Sequence, residues 1–207
     1  AVLQNSELAD LCRKLHGIKV SGSKEKRRQR IIEHFASLPP PGPDDEPGDP
    51  RAVAYQYLEE LAKRESSLLR SLELIKHDRE MASLFEEGTR YLFEQKLGCN
   101  LIQQDGTDHS DGGVAFPDGE LLLWDNKGKE EVYTFPKSHA DQFKGYIEDY
   151  QRRGQRVKTF LIVVPEIADE AEMRAIMLKN ETVSDTDIAL ITARALKFVA
   201  ENWHKHA

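Results

Sequence analysis

Asp111, Asp125 and Lys127 are the residues through which this sequence can do chemistry. Leu121 to Trp124 are apolar, as a buried strand requires, yet Asp125 and Lys127 follow at once in "LLLWDNKGK". Side chains two apart on a strand share a face, so this carboxylate and this ammonium point the same way. Asp111 precedes "GGVAF", a strand-like run joined to the first by the tight turn "PDG", and closing that hairpin brings Asp111 toward Asp125. Two carboxylates held a few ångströms apart repel each other. A divalent cation, Mg²⁺ or Mn²⁺, relieves the repulsion by taking oxygen ligands from both, with waters and a substrate phosphate completing its shell. Lys127 is then placed to orient an attacking water or to offset charge in the transition state. The chemistry expected of the trio is in-line hydrolysis of a phosphodiester. An Asp-x-Lys at a strand end is also the pattern of a surface ion pair worth about 0 to 1 kcal/mol. The carboxylate across the hairpin, and a preceding helix that carries Glu86 and Glu87, set this one apart.

Those residues need elements to hold them. Tyr57, Leu58, Leu61, Leu68, Leu72 and Ile75 recur at helical spacing, and a further helix is predicted from Met81 to Lys96, stopped by Gly98. The period then switches to that of strands. After the hairpin, "EVYTF" reads as a third strand, "SHADQFKGYIEDYQRRG" as an amphipathic helix ending at Gly154, and "KTFLIVVPEI" as an apolar strand halted by Pro165. "DIALIT" is a last strand and "ARALKFVAENW" a closing helix, with Trp203 in the core. Helices, hairpin, helix, strands and helix together make a mixed α/β domain.

Other residues compete for the same roles. Asp118 follows a proline, but it sits in the hairpin turn and should project away from Asp125. Asp105, Asp108 and His109 crowd one loop and read as solvated residues, with His109 the one placed to touch a substrate. His139 reads as a helix N-terminal residue rather than a general base, and the histidines of the terminal "WHKHA" as exposed. Cys12 and Cys99 lie far apart with no partnering Cys or His spacing, so both are expected to be packed, reduced thiols.

The chain of 207 residues, 39% hydrophobic, is long enough for one ordinary domain plus a small module. No apolar run approaches the roughly 20 residues that cross a bilayer, and no signal-peptide pattern opens it. A cytoplasmic location without membrane contact is the expectation. The opening Ala, in place of Met, suggests a piece of something longer. A net charge of −7 argues against nucleic acid until its distribution is read. Residues 1 to 35 carry eight Lys and Arg against four Asp and Glu, whereas residues 53 to 207 carry 20 against 28. Basic charge is gathered at one end. Between the two regions, "PPPGPDDEPGDP", with six prolines, is a stiff acidic linker. Before it, Leu8, Leu11, Cys12 and Leu15 line one helix face, "GIKVSGS" turns the chain, and a second helix starts behind Ser23 as N-cap.

The trio on its hairpin, behind a helix with Glu86 or Glu87, resembles the PD-(D/E)xK nuclease superfamily, with Ser110 in place of the usual proline. The wider order is similar to the cleavage domain of type IIS restriction endonucleases of the FokI kind. That order runs from "LFEEGTRYLFEQKLG" through "SDGGVAF" and "LLLWDNKGK" to "FPKSHADQFKGYIEDY", where Pro136, Ala140, Asp141, Tyr146 and Glu148 fall at matching spacing, and then "FLIVV". The resemblance implies a restriction-endonuclease-like mixed β-sheet flanked by helices, cleaving DNA with a divalent metal. Asp111 and Asp125 would be metal ligands, Lys127 the catalytic lysine, and Glu86, or next to it Glu87, the helix glutamate. In that family the helix bearing Asp141 also forms a dimer interface, an aspartate pairing with an arginine four residues later; here Gly145 takes that place, with Lys144 beside it.

The segment "ELADLCRKLHGIKVSGSKEKRRQRIIEHF" resembles a SAP-type DNA-binding module. Lys24, Lys26, Arg27, Arg28 and Arg30 can reach phosphates, contacts that position a protein without reading sequence; a merely solvated helix face is the plainer alternative. The organisation expected is therefore a small N-terminal helical module over residues 1–38, a linker over 39–52 and a nuclease domain over 53–207. The partner is DNA, with a homodimer forming during cleavage or a longer parent chain or recognition subunit delivering the domain. A catalytically idle nuclease fold that binds DNA or serves assembly is the alternative, and it would be marked by a missing acid or lysine. None is missing.

Overall fold

A computed structural model describes residues 19–27, 29–30, 49–103, 109–181 and 185–203. The chain divides into two compact units, Ala1–Gly48 and Asp49–Ala207. The Leu8 to Leu15 helix face, Arg28, the linker up to Gly48, Asp105, Asp108, His204 and His206 lie outside the described residues.

In the first unit residues 24–27 are helical. Ser23 caps this turn, its Oγ accepting from the Lys26 amide at 3.4 Å while its carbonyl accepts from Arg27 N at 3.0 Å. Arg27 Nε donates to the Val20 carbonyl at 2.6 Å, and an Arg30 nitrogen donates to the carbonyls of Lys19 and Ser21 at 2.8 and 2.5 Å. Two of the five arginines and lysines singled out for phosphate contact therefore also hold the turn.

The second unit opens with a helix that begins within the last residues of the expected linker and runs past it. Asp49 caps α1 (Pro50–Gln56) by accepting from Arg51 N, and Pro50 brings a backbone already set for the first helical turn. The single stripe expected beyond it is broken into α2 (Leu58–Ala62) and α3 (Ser66–Ser71). Arg64 and Glu73 adopt positive φ and reset the helical phase. As a result Leu58, Leu61, Leu69 and Ile75 are buried, whereas Leu68 and Leu72, expected on the core face, are about 40% exposed. Helix α4 (Glu80–Tyr91) follows and widens into a π-helical turn at Leu92–Lys96. Gly88 lies so close to the Ala54 backbone that a β-carbon there would be 2.8 Å from it, which is how α1 and α4 come into contact.

The sheet has the order β1 (Gly112–Ala115), β2 (Glu120–Asn126), β3 (Arg156–Val164), β4 (Asp187–Thr192). The hairpin β1–β2 is antiparallel, and β3 and β4 add in parallel. Parallel neighbours require crossovers. Helix α5 (Lys137–Arg152) supplies the first and α6 (Asp169–Glu181) the second. The second crossover is absent from the sequence reading, because its buried stripe of Ala171, Ala175 and Leu178 is thin while Met173, Ile176 and Met177 face solvent. Helix α7 (Ala193–Asn202) closes the chain.

Helices α1 to α4 and α7 bury Leu58, Phe85, Leu92 and Leu196 on one face of the sheet against Val114, Trp124 and Val163. Phe143, Ile147 and Ala175 of α5 and α6 cover Leu123, Phe160 and Ile162 on the other. Two expectations are corrected. "EVYTF" forms no strand: Tyr133 makes one parallel bridge to Ile167, and Phe135, at φ 55° ahead of Pro136, turns the chain into α5. Trp203 is 50% exposed rather than core; it follows the last residue of α7 as its C-cap, while Ala193, Leu196 and Ala200 form the buried face of that helix. Among the described residues no helix is long and apolar enough to cross a membrane.

Candidate active site

Strand register carries the two carboxylates to one place. Gly112 pairs with Trp124, so the residues one step outward, Asp111 and Asp125, face each other at the open end of the hairpin. Asp111 Oδ2 accepts from the Asn126 amide at 2.6 Å, and the Asp111 carbonyl accepts from Arg90 Nε of α4 at 3.1 Å. Asp125 is 1% exposed, and its Oδ1 lies 2.6 Å from Lys127 Nζ. That contact has the distance of an ion pair but not the alignment of a hydrogen bond, so a buried carboxylate oxygen is left incompletely satisfied. Lys127 keeps the strand in place, its amide donating to the Val163 carbonyl at 2.9 Å.

The charges strain one another. Burial pushes the Asp111 carboxyl above its usual range, against the Asn126 amide and the Lys127 and Arg90 cations. Burial and then the neighbouring Asp111 push Asp125 up to about 7, with Lys127 acting the other way. Glu86 is raised as well, first by burial and then by Asp111. Acidic groups that resist ionisation side by side are poised to receive a cation.

The predicted residues do not all converge. Asp111, Asp125 and Lys127 form the centre. Glu86 of α4 shares its field, and Glu87 is a lesser neighbour of Glu86. Asp118 stays at the exposed hairpin turn and accepts from Glu120 N. His109 packs its Nδ1 2.6 Å from the Ser110 carbonyl, next to the loop that leads into Asp111. His139 does sit in the first turn of α5, where Tyr133 Oη lies 2.9 Å from its Nδ1. Cys99 is a partly buried free thiol. Among the described residues no three His, Cys, Asp or Glu side chains gather closely enough to cage a metal alone. Asp111 and Asp125 are the pair that could hold a divalent ion, and two protein ligands would suit Mg²⁺, which keeps waters and substrate oxygens in its shell.

Several side chains that bear on the centre went unread in the sequence. Thr89 Oγ1, buried in α4, lies 3.2 Å from Asn126 Oδ1, and Gln142 of α5 accepts from Lys127 Nζ at 3.2 Å. Neutral amides and hydroxyls carry no motif, and their roles come only from the packing of α4 and α5 on opposite sides of the β2 terminus.

An antiparallel hairpin extended by two parallel strands and covered by helices is the nuclease fold of restriction endonucleases. The sequence profile described as FokI, cleavage domain, matches residues 49–207, and the chain belongs to that family. Solved structures agree on the fold. The structure of restriction endonuclease FokI aligns with a TM-score of 0.58 at 16% identity, over 90% of this chain and 31% of that one. FokI bound to DNA aligns equally well at 15% identity, again covering 31% of its length. No curated protein matches the sequence.

Proposed function

We propose that residues 49–207 form a metal-dependent DNA endonuclease domain of restriction type, in which Asp111 and Asp125 hold Mg²⁺ or Mn²⁺. The observation that carries this reading is the meeting of two buried, mutually repelling carboxylates with the Lys127 ammonium at one hairpin end. Membership of the FokI cleavage family supports it, as does the alignment to a FokI structure bound to DNA. When bound, a divalent ion supplies Lewis acidity toward the scissile phosphate and makes water a better nucleophile at neutral pH. Asp111, fixed by the Asn126 amide, and Asp125, fixed by β2, give the ion its place. Lys127 orients the attacking water through its N–H groups and offsets the negative charge that builds on the phosphate. The PD-(D/E)xK pattern is filled by Asp111, Asp125 and Lys127, and Glu86 tunes their field.

DNA is held by the basic module rather than by the acidic domain. Lys24, Lys26, Arg27, Arg28 and Arg30 contact phosphates in the manner of a SAP-like segment, and a larger parent chain or recognition subunit brings the domain to its target. Self-pairing through α5 would rely on Asp141 and Lys144, since Gly145 offers no side chain.

The test is a supercoiled-plasmid assay with Mg²⁺, comparing the wild type with Asp125→Ala and Lys127→Ala. The wild type is expected to nick or linearise the plasmid, and each variant to lose at least about 100-fold in rate. Nicked product indicates a domain acting alone, and linear product a paired one. DNA binding with an intact plasmid would support instead an idle fold serving assembly.

A further inference from the structure

Lys127 is held by more than its carboxylate. Its Nζ lies 2.6 Å from Asp125 Oδ1, 3.2 Å from Gln142 Oε1 and 5.3 Å from the centroid of the Phe143 ring. Gln142 is in turn fixed, because its Nε2 donates to Tyr146 Oη at 2.6 Å one helical turn along α5. We infer that Gln142, locked by Tyr146, is the positioning residue that aims the Lys127 ammonium at the reaction centre; the inference rests on the reading of Lys127 as a catalytic group.

The argument begins with donors and acceptors. An amide presents two donors at one end and an acceptor at the other. Tyr146 engages the Nε2 end, so Oε1 is the atom that meets Lys127. The reversed amide would set N–H groups against an ammonium and lose that contact, while the Tyr146 hydroxyl can serve either end as acceptor or donor. An ammonium has three N–H groups. One donates to Gln142, Asp125 faces the charge as an ion pair at 2.6 Å, and the aromatic face of Phe143 closes another side. N–H groups not given to Gln142 are left for water or a phosphate oxygen.

Gln142 matters most once Asp125 shares its oxygen with a cation. The Asp125–Lys127 pair then weakens, and a lysine free on its flexible stem carries about 2 kcal/mol of rotamer entropy. The Gln142 carbonyl and the Phe143 ring keep it aimed. Gln142 itself is solvent-exposed on α5, so its loss costs little packing.

Gln142→Met keeps the length of the side chain without the amide, Gln142→Glu keeps the acceptor, and Tyr146→Phe releases the lock. In single-turnover cleavage of plasmid with Mg²⁺, Gln142→Met should slow the cleavage step by about tenfold or more, with DNA affinity in EDTA and thermal midpoint unchanged. Gln142→Glu should recover most of the rate. Tyr146→Phe should lose a smaller factor, and the double variant Gln142→Met with Tyr146→Phe should be no slower than Gln142→Met alone, because both act through one contact. A Gln142→Met rate equal to wild type, or multiplicative losses in the double variant, would overturn the inference.

A second readout needs no cleavage. With ¹⁵N-labelled lysine, NMR of the Lys127 ammonium should show restricted motion in the wild type and free motion in Gln142→Met. Equal mobility in both removes the positioning role even where DNA is cut. A wild type that never cuts DNA defeats the nuclease reading, yet a Lys127 freed by Gln142→Met would still uphold the contact.

Discussion

Gly112 lies flat against the indole of Trp124, its cross-strand partner, so that a β-carbon at 112 would fall inside the ring. The indole is itself stacked on Phe93, centroids 4.3 Å apart, and fully buried. This contact sits one residue inward from both carboxylates, where it would limit how closely they approach. Gly112→Ala is therefore expected to destabilise the domain by about 1 to 3 kcal/mol, the usual range for overpacking a core. Urea unfolding should show a lower midpoint at the same slope. Because Asp111 must shift with its strand, cleavage should fall further than stability does; a variant as stable and active as wild type would show that the indole yields and that Gly112 does not set the carboxylate spacing.

Asp125 gives the metal-free protein a pH signature. Its folded pKa, pushed up to about 7 by burial and by Asp111, lies above the value near 4 of an unfolded aspartate. A group raised in this sense contributes most below the unfolded pKa, and its contribution drains away as pH rises through the folded value. In EDTA the thermal midpoint of wild type, compared with that of Asp125→Asn, should fall between about pH 4 and pH 7. At pH 7.5 Mg²⁺ should raise the midpoint of wild type and leave Asp125→Asn unmoved, since only a site that binds in the folded state gains by linkage. Parallel pH profiles for the two proteins would contradict the assignment.

Glu86 and Glu87 are neighbours with different surroundings. Glu86 is raised by burial and then by Asp111, and it raises Asp125 in return. Glu86→Gln should therefore change the cleavage rate by about threefold to tenfold, the size of a carboxylate acting at a distance rather than as a ligand. Glu87→Gln should leave the rate within about twofold of wild type. Single-turnover rates at saturating Mg²⁺ separate the two, and the opposite ranking would move the helix glutamate to Glu87.

The centre was legible because its chemistry is written locally. Asp125 and Lys127 break an apolar strand, and "PDG" fixes the hairpin that returns Asp111 to them. The strands β2, β3 and β4 and helices α4, α5 and α7 follow from periodicity in the same way. What escaped depends on tertiary context. Leu69 replaces Leu68 and Leu72 in the core because the positive φ of Arg64 shifts the helical phase, and no side-chain pattern announces that. Tyr133 looks like a strand residue but spends its amide and carbonyl on Glu166 and Ala168 in a crossover. Helix α6 buries alanines and exposes methionines, inverting the usual signal. Gln142 faces Lys127 only because α5 packs across the end of β2.

The basic turn offers a division between binding and folding. Arg27 and Arg30 donate to the carbonyls of Val20, Lys19 and Ser21, so removing either costs turn hydrogen bonds as well as charge. Lys24 and Lys26 have only their charge to offer a phosphate. In the full chain, Lys24→Ala and Lys26→Ala should each weaken DNA binding alike across sequences and lower the slope of log affinity against log salt by about 1. The helical signal of the module should be unchanged in both. Arg30→Ala should lower that signal together with affinity, because the Lys19 and Ser21 carbonyls lose their donor. Fluorescence anisotropy across a salt series, paired with circular dichroism, resolves the two classes. A salt slope that none of these substitutions alters would mean that DNA is held elsewhere, on the nuclease domain itself.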